Sequence, residues 1–346
     1  MRHIHIRASV HPPEGLYIWQ LFNARYIDKL EKSREHVAQG MYKDAEEVSR
    51  GRLGRGNRTD MIYLSQFIYP SVEREENFLH LMKETCYTTV YPFQILTEHN
   101  VHTLNFDDPV TVLYGGNGSG KTTALNVIAE KLNLKRDALY NRSNFFEAFV
   151  DMCDFYLERE LPSLSRIITS DDVFDFMLNL RSLNEGIDNR RESLFENYHN
   201  LKHSDFQLKS LDDYEKLVEV NLARGKSKSE FVRRQLKSNV REHSNGESAY
   251  MYFTDKMKEN GLYLLDEPEN SLSPERQQEL AGFLEESARF FGCQFIIATH
   301  SPFLLAMANA KIYNLDEEPM CVSKWTDLPN VRAYYDFFKR HEGKFE

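Results

Sequence analysis

With 346 residues, 41% of them hydrophobic, the chain can bury a sizeable core as one large domain or two small ones. A net charge of −10 sets the surface as a whole against non-specific nucleic-acid binding and leaves that task only to a local basic patch. No apolar run approaches a membrane span, and the N-terminal MRHIHIRASVHPPEG lacks the apolar stretch of a secretory signal. A cytoplasmic protein with no direct membrane insertion is the expectation. Cys86, Cys153, Cys293 and Cys321 follow no C-x-x-C or His-rich spacing, which argues for reduced thiols in the core or in strands and against zinc.

In chain order, residues 1–60 read as an accessory extension, with a helix-like stretch over 16–48 and a Gly/Arg-rich linker, SRGRLGRGNRTD. A second domain spans 61–346. MIYLSQFIYP is strand-like, and VYPFQI and VHTLNF are expected to join it in an antiparallel β lobe. The most informative stretch follows, VTVLYGGNGSGKTTALNVIAEKL at 110–132. Residues 110–114 read as a buried strand and 122–132 as a helix, while 115–122 between them fit G-x-x-x-x-G-K-[ST]. Gly115, Gly116, Gly118 and Gly120, with Asn117 and Ser119, form a loop whose N–H groups converge on phosphate oxygens at a helix N-terminus. Lys121 would reach the β- and γ-phosphates of ATP or GTP, Thr122 would hold Mg2+, and Thr123 would add an α-phosphate contact.

From 137 to 241 the chain reads as a charged helical lobe, with the strand-like SRIITS at 165–170 as the exception. Arg224, Lys226, Lys228, Arg233, Arg234, Lys237 and Arg241 crowd the end of this lobe. They form either a solvated helix face or a nucleic-acid patch. HSNGESAYMYFTDKM at 243–257 then offers a hydroxyl, a close-approach glycine and a helix start at Ser244, Gly246 and Glu247, a second anion-binding end. Next, GLYLLDEPENSLSP runs an apolar strand into Asp266 and Glu267. Strand alternation points the two acids differently, so Asp266 is assigned to Mg2+ and Glu267 to general base. QFIIAT at 294–299 ends at His300, where ligands bind in open α/β sheets. A helix at 302–308, short strands around Ile312 and Val322 and a terminal helix from Asn330 complete the chain.

Gly-x-Asn-Gly-Ser-Gly-Lys-Thr, Ser-x-Gly-Glu, LLDEPEN and ATHSP, in this order over 61–346, resemble the ATP-binding-cassette ATPase superfamily. More narrowly, they resemble its stand-alone predicted ATPases, related to DNA-repair, chromosome-maintenance and anti-phage heads. The resemblance implies an α/β P-loop NTPase fold, a cassette-type head with an antiparallel β lobe and a helical lobe at 137–241. It further implies ATP and Mg2+ as ligands and a head-to-tail homodimer with composite sites. There Ser244, Gly246 and Glu247 would serve the partner's γ-phosphate, and residues 270–274 would cross the seam.

Three departures qualify it. No glutamine follows a convincing strand between Thr123 and Ser244, so Asp171 either takes the usual metal-contacting role or the role is absent. Ser-Asn-Gly-Glu replaces the transporter Leu-Ser-Gly-Gly-Gln, and Glu-Asn-Ser-Leu-Ser-Pro follows the acids, both pointing away from transporters. The adenine-stacking residue is open, with Tyr91 and Phe93 as candidates and equally good core residues. The function expected is a Mg-dependent ATP hydrolase acting as a dimerisation switch on a protein effector encoded elsewhere. A transport ATPase subunit and a slowly hydrolysing scaffold are the alternatives.

Overall fold

Residues 61–82, 86–207, 210, 213–236 and 244–345 are described by the computed structural model; the expected 16–48 helix and the linker lie outside them. The chain enters on β1 (Leu64–Ile68), followed by α1 (Val72–Leu81), α2 (Ile95–Glu98), β2 (Thr103–Asn105) and β3 (Val110–Tyr114). Next come α3 (Lys121–Lys131), α4 (Phe146–Asp151), β4 (Asp154–Leu157) and β5 (Arg166–Thr169). Three helices follow, α5 (Ser170–Lys202), α6 (Tyr214–Gly225) and α7 (Lys228–Gln235), and then α8 (Asn245–Lys256). The last stretch holds β6 (Leu262–Asp266), α9 (Pro274–Phe290), β7 (Gln294–Ala298), α10 (Pro302–Leu305), β8 (Lys311–Asn314), β9 (Cys321–Val322) and α11 (Pro329–Arg340).

The strands make two sheets. A three-stranded antiparallel sheet has the order β2-β1-β4, and a six-stranded sheet has the order β5-β6-β7-β3-β8-β9. The larger sheet is parallel except for β9, which runs antiparallel to β8. In β3, β6 and β7 every residue is buried, as continuous apolar strands covered on both faces must be. One core packs α3 and the smaller sheet on one face, through Phe67, Leu104, Leu125 and Phe146. Another packs α8 and α9 on the opposite face, through Tyr252, Phe253, Leu280 and Leu284. The lobe of α5, α6 and α7 has a small core of its own around Tyr198, Val220 and Phe231. Gln294, fully buried, ties the two sheets: its Oε1 accepts from the N–H groups of Tyr63 at 2.8 Å and Leu64 at 2.9 Å, and its Nε2 donates to Leu64 O at 2.7 Å.

Register sets up the site. Leu113 lies opposite Ala298, Ala298 opposite Asp266, and Asp266 opposite Thr169. Four strand ends are thereby level, and the loops leaving them share one edge.

Two expectations change. VYPFQI is no strand but a turn running into α2, with a cis Tyr91–Pro92 bond and Gln94 at φ +70; proline has no N–H for a ladder, and a left-handed residue breaks an extended run. Residues 137–164, expected in the helical lobe, instead supply α4 and β4, with β4 in the smaller sheet, while the strand-like 165–170 forms β5 of the larger sheet as expected. Asp154–Leu157 is mostly exposed and lacks apolar alternation, and pairing with β1 alone makes it a strand.

Candidate functional site

The loop at 115–122 connects β3 to α3 and is wrapped as its glycines allow. Gly118 and Gly120 sit at φ +89 and +85, where a side chain is strained, and a Cβ at Gly120 would come within 2.9 Å of Leu96. Inside the loop, the Lys121 Nζ donates to the carbonyls of Gly115 at 2.8 Å and Gly116 at 3.0 Å. Burial pushes this ammonium below its ordinary range, opposed by the charges of Glu267 and Asp266. The Ser119 hydroxyl is buried without a hydrogen-bond partner.

One strand across the intervening β7, β6 delivers Asp266 to the same place. The Thr122 hydroxyl donates to Asp266 Oδ1 at 3.1 Å. Burial, opposed by that hydrogen bond, pushes the Asp266 carboxyl up to about 7. A hydroxyl and a costly buried carboxylate in contact are the donors expected of a hard cation that keeps several waters, so Thr122 and Asp266 fit Mg2+. Glu267, the next residue, is held at φ +47, ψ 52. This left-handed conformation costs a non-glycine residue on the order of 1 kcal/mol or more. It turns the Glu267 N–H to Ala298 O at 2.9 Å and leaves its carboxylate facing His300, Oε1 to Nε2 3.8 Å, while Asn270 Nδ2 donates to Oε2 at 2.9 Å. Burial first, then the Lys121 charge, lowers the His300 pKa, so its imidazole is neutral at neutral pH. The His300 Nε2 is buried and makes no hydrogen bond. Unpartnered Ser119 and His300 atoms, beside a buried ammonium, are what a phosphate group would satisfy.

Lys121, Thr122, Asp266, Glu267 and His300 are thus brought together, whereas the other expected residues stand elsewhere. Ser244 caps α8 and accepts from the Glu247 N–H at 3.3 Å. Asn245 Oδ1 accepts from Arg181 at 2.7 Å, and Gly246 faces the Ser271 carbonyl, close enough that a Cβ would lie 3.4 Å from it. Asp171 is exposed on the first turn of α5, just past the strand end beside Asp266. Its neighbour Asp172 is the buried one, and it closes a capping box with Thr169. Thr123 is buried, with its hydroxyl 3.3 Å from that of Tyr91. Phe93 belongs to the core, stacked on Phe78 at 4.8 Å between centroids. In the basic segment, Arg224 binds the Ser204 carbonyl, Lys226 pairs with Glu230 at 3.0 Å and Lys228 lies over the Phe195 ring; Arg233 and Arg234 are exposed, and Lys237 and Arg241 lie outside the described residues.

Three contributors have no role assigned in the sequence analysis. Asp316, past the end of β8, accepts from the Gly116 N–H through both carboxylate oxygens at 2.8 Å. The half-buried Glu269 accepts through Oε1 from the N–H groups of His300 at 2.6 Å and Ser301 at 3.2 Å. Asn330, entering α11, donates from Nδ2 to the His300 carbonyl at 2.9 Å. Only the Glu in DEPEN is readable at all, as an acid too close to a buried strand end to be solvated.

A phosphate loop, an acid-bearing strand two positions away and a histidine-tipped strand between them decide the architecture. In fold, the described residues form an α/β P-loop head. Residues 244–306 of this head match the family described as "AAA domain, putative AbiEii toxin, Type IV TA system". No curated protein is significantly similar in sequence. Among solved structures, the head is similar to the Smc head domain of Pyrococcus furiosus bound to the C-terminal domain of ScpA, at 14% identity over 69% of this chain and 95% of that one, TM-score 0.34. It is also similar to a nucleotide-free cassette from an ABC transporter, at 17% identity over 67% and 90%, TM-score 0.33. The SMC head of Thermotoga maritima gives 16% identity over 64% and 92%, TM-score 0.29. Among the described residues, no helix is long and apolar enough to cross a membrane.

Proposed function

We propose that the protein is a Mg-dependent ATP hydrolase whose nucleotide state switches a homodimer and so regulates a protein partner. The observation that carries the reading is the meeting of the buried Lys121 ammonium, the Thr122–Asp266 pair and the Glu267–His300 pair at one sheet edge. The ATP phosphates would lie on the N–H groups of residues 115–123, with Lys121 on the β- and γ-oxygens. Bound Mg2+, held by Thr122 and Asp266, would neutralise charge on the β- and γ-phosphates; Asp171 is the remaining candidate for an outer contact. Glu267 takes the proton of the attacking water as the γ-phosphorus bond to the bridging oxygen breaks, and products are ADP and phosphate. Neutral His300 donates to the γ-phosphate.

Ser244 and Gly246 stand at the start of α8 and not in the 115–122 loop, which supports their serving, with Glu247, the site of a second subunit. On this reading residues 61–346 are the ATPase domain, with 1–60 as an extension and a cytoplasmic setting. The family match, whose description names a toxin of a type IV toxin–antitoxin system, supports a regulatory or defensive output, phage defence or DNA maintenance, over transport. Glu267→Gln keeps shape and removes the base, so turnover should fall by roughly two to four orders of magnitude with ATP still bound. Near-parental phosphate release by this variant would show that another group positions the water.

A further inference from the structure

The terminal helix carries apolar surface that no described residue covers. Its sequence, PNVRAYYDFFKR, sets Val331, Tyr334 and Phe338 on one stripe, and only Val331 is buried. Tyr334, Tyr335, Phe337 and Phe338 are 49–53% exposed, and Phe345 just beyond the helix is 73% exposed. Three of the rings adjoin in a run, Phe337 and Phe338 5.5 Å apart and Phe338 and Phe345 6.2 Å, and His341 lies 4.8 Å from Phe337. At roughly 200 Å² per aromatic side chain, these residues leave on the order of 550 Å² of ring surface in water. That is near the top of what a lone monomer carries as its largest patch, about 300–600 Å².

We infer that this stripe is a self-association surface, on which the same stripe of a second copy packs about a two-fold axis whether or not nucleotide is bound. The area decides for a second copy. Two such patches bury about 1,100 Å² between them, above the ~1,000 Å² that a specific interface needs. A two-fold contact requires a patch that can pair with itself, and an uncharged aromatic patch meets that requirement. The rim carries both signs, Arg332, Asp336, Lys339 and Arg340, with Arg332 and Lys339 each over the Tyr335 ring, at 5.4 and 5.5 Å from its centroid. An anionic membrane or nucleic acid would instead face a protein of net charge −10. A standing contact of this kind would hold the second head at an effective concentration near the millimolar range. Hydrolysis could then open the nucleotide seam without parting the subunits. The inference goes beyond the nucleotide-driven dimer and does not depend on it.

Sedimentation velocity on full-length Lys121→Ala protein without nucleotide, up to roughly 50 μM, separates the two contacts, because this substitution removes the charge that would draw ATP into the seam. A dimer is expected. Adding Tyr334→Glu with Phe338→Glu should weaken it at least about a hundredfold, and the same pair in the parental chain should leave ATP affinity unchanged. Should the Glu pair fail to fold, Tyr334→Ser with Phe338→Ser gives the same reading. A Lys121→Ala protein that stays monomeric throughout, a dimer that survives the paired substitutions, or a monomer that pellets with phosphatidylserine vesicles through α11 would each overturn the inference.

Discussion

Replacing Glu269 tests whether a half-buried carboxylate, and not the strand alone, sets the position of His300. Its Oε1 accepts from two backbone N–H groups, those of His300 at 2.6 Å and Ser301 at 3.2 Å. Glu269→Ala leaves the His300 N–H without its acceptor, whereas the Ser301 N–H keeps the Thr299 hydroxyl at 3.0 Å, so the loss should be about 1–3 kcal/mol. Glu269→Gln keeps a carbonyl oxygen for the same donors and should cost less than ~1.5 kcal/mol. Burial holds the Glu269 carboxyl above its usual range, opposed by the hydrogen bond from His300. The folded state therefore keeps its proton to higher pH than the unfolded chain does, and the parent loses stability as pH rises from the unfolded value to the raised one. Gln has no such loss, so its deficit against the parent should shrink across that window. Urea unfolding at acid and neutral pH measures both, alongside turnover, which should fall in Glu269→Ala with ATP affinity near parental. An Ala variant within about 0.5 kcal/mol of the parent, or a Gln deficit that grows with pH, would refute the brace.

Burial pushes the thiols of Cys153 and Cys293 up to about 12 and about 11, while Cys86 and Cys321 are exposed. Iodoacetamide on the native protein near pH 8 should label only the exposed pair, and native labelling of Cys153 at the rate of Cys321 would contradict the core packing. Arg233→Glu with Arg234→Glu and Lys237→Glu should abolish any salt-sensitive nucleic-acid affinity seen at low ionic strength; a parent that binds no nucleic acid would end that reading of the basic segment. Lys121→Ala breaks the cradle and Ser244→Arg fills the signature turn, so each alone should be inactive. A mixed dimer has one site free of both lesions, and mixing should restore up to about half of the activity per dimer. Activity that stays at background after labelled subunits have been shown to exchange would count against sites shared between subunits.

The parts of this fold that show in the sequence are those whose burial leaves a run. β3, β6 and β7 are covered on both faces, so their apolar residues are consecutive and need no partner to be recognised. β4 is the opposite case. Its residues are largely exposed, and its strand character comes from β1, more than eighty residues earlier in the chain. Nothing local reports such pairing. The VYPFQI segment misleads for a related reason, since its aromatic and β-branched residues suit a strand while Phe93 is used instead to stack on Phe78 beneath a turn.

The site divides along the same line. Glycine at φ +89 and +85, a lysine beside it and an acid at a strand end are local requirements of phosphate and metal chemistry, and they stand in the sequence as a pattern. Asp316, Glu269 and Asn330 act through backbone groups brought near by strand order, and an acid or amide that binds backbone has no residue-type partner to give it away. Glu267 joins the two kinds. Its side chain is legible as a base, but the left-handed backbone that aims it at His300 is set by the Ala298 carbonyl and the Asn270 amide. The same chain that presents the base therefore stores the strain that orients it, and it does so by joining β6 to β7 at the strand end where the phosphate loop also opens.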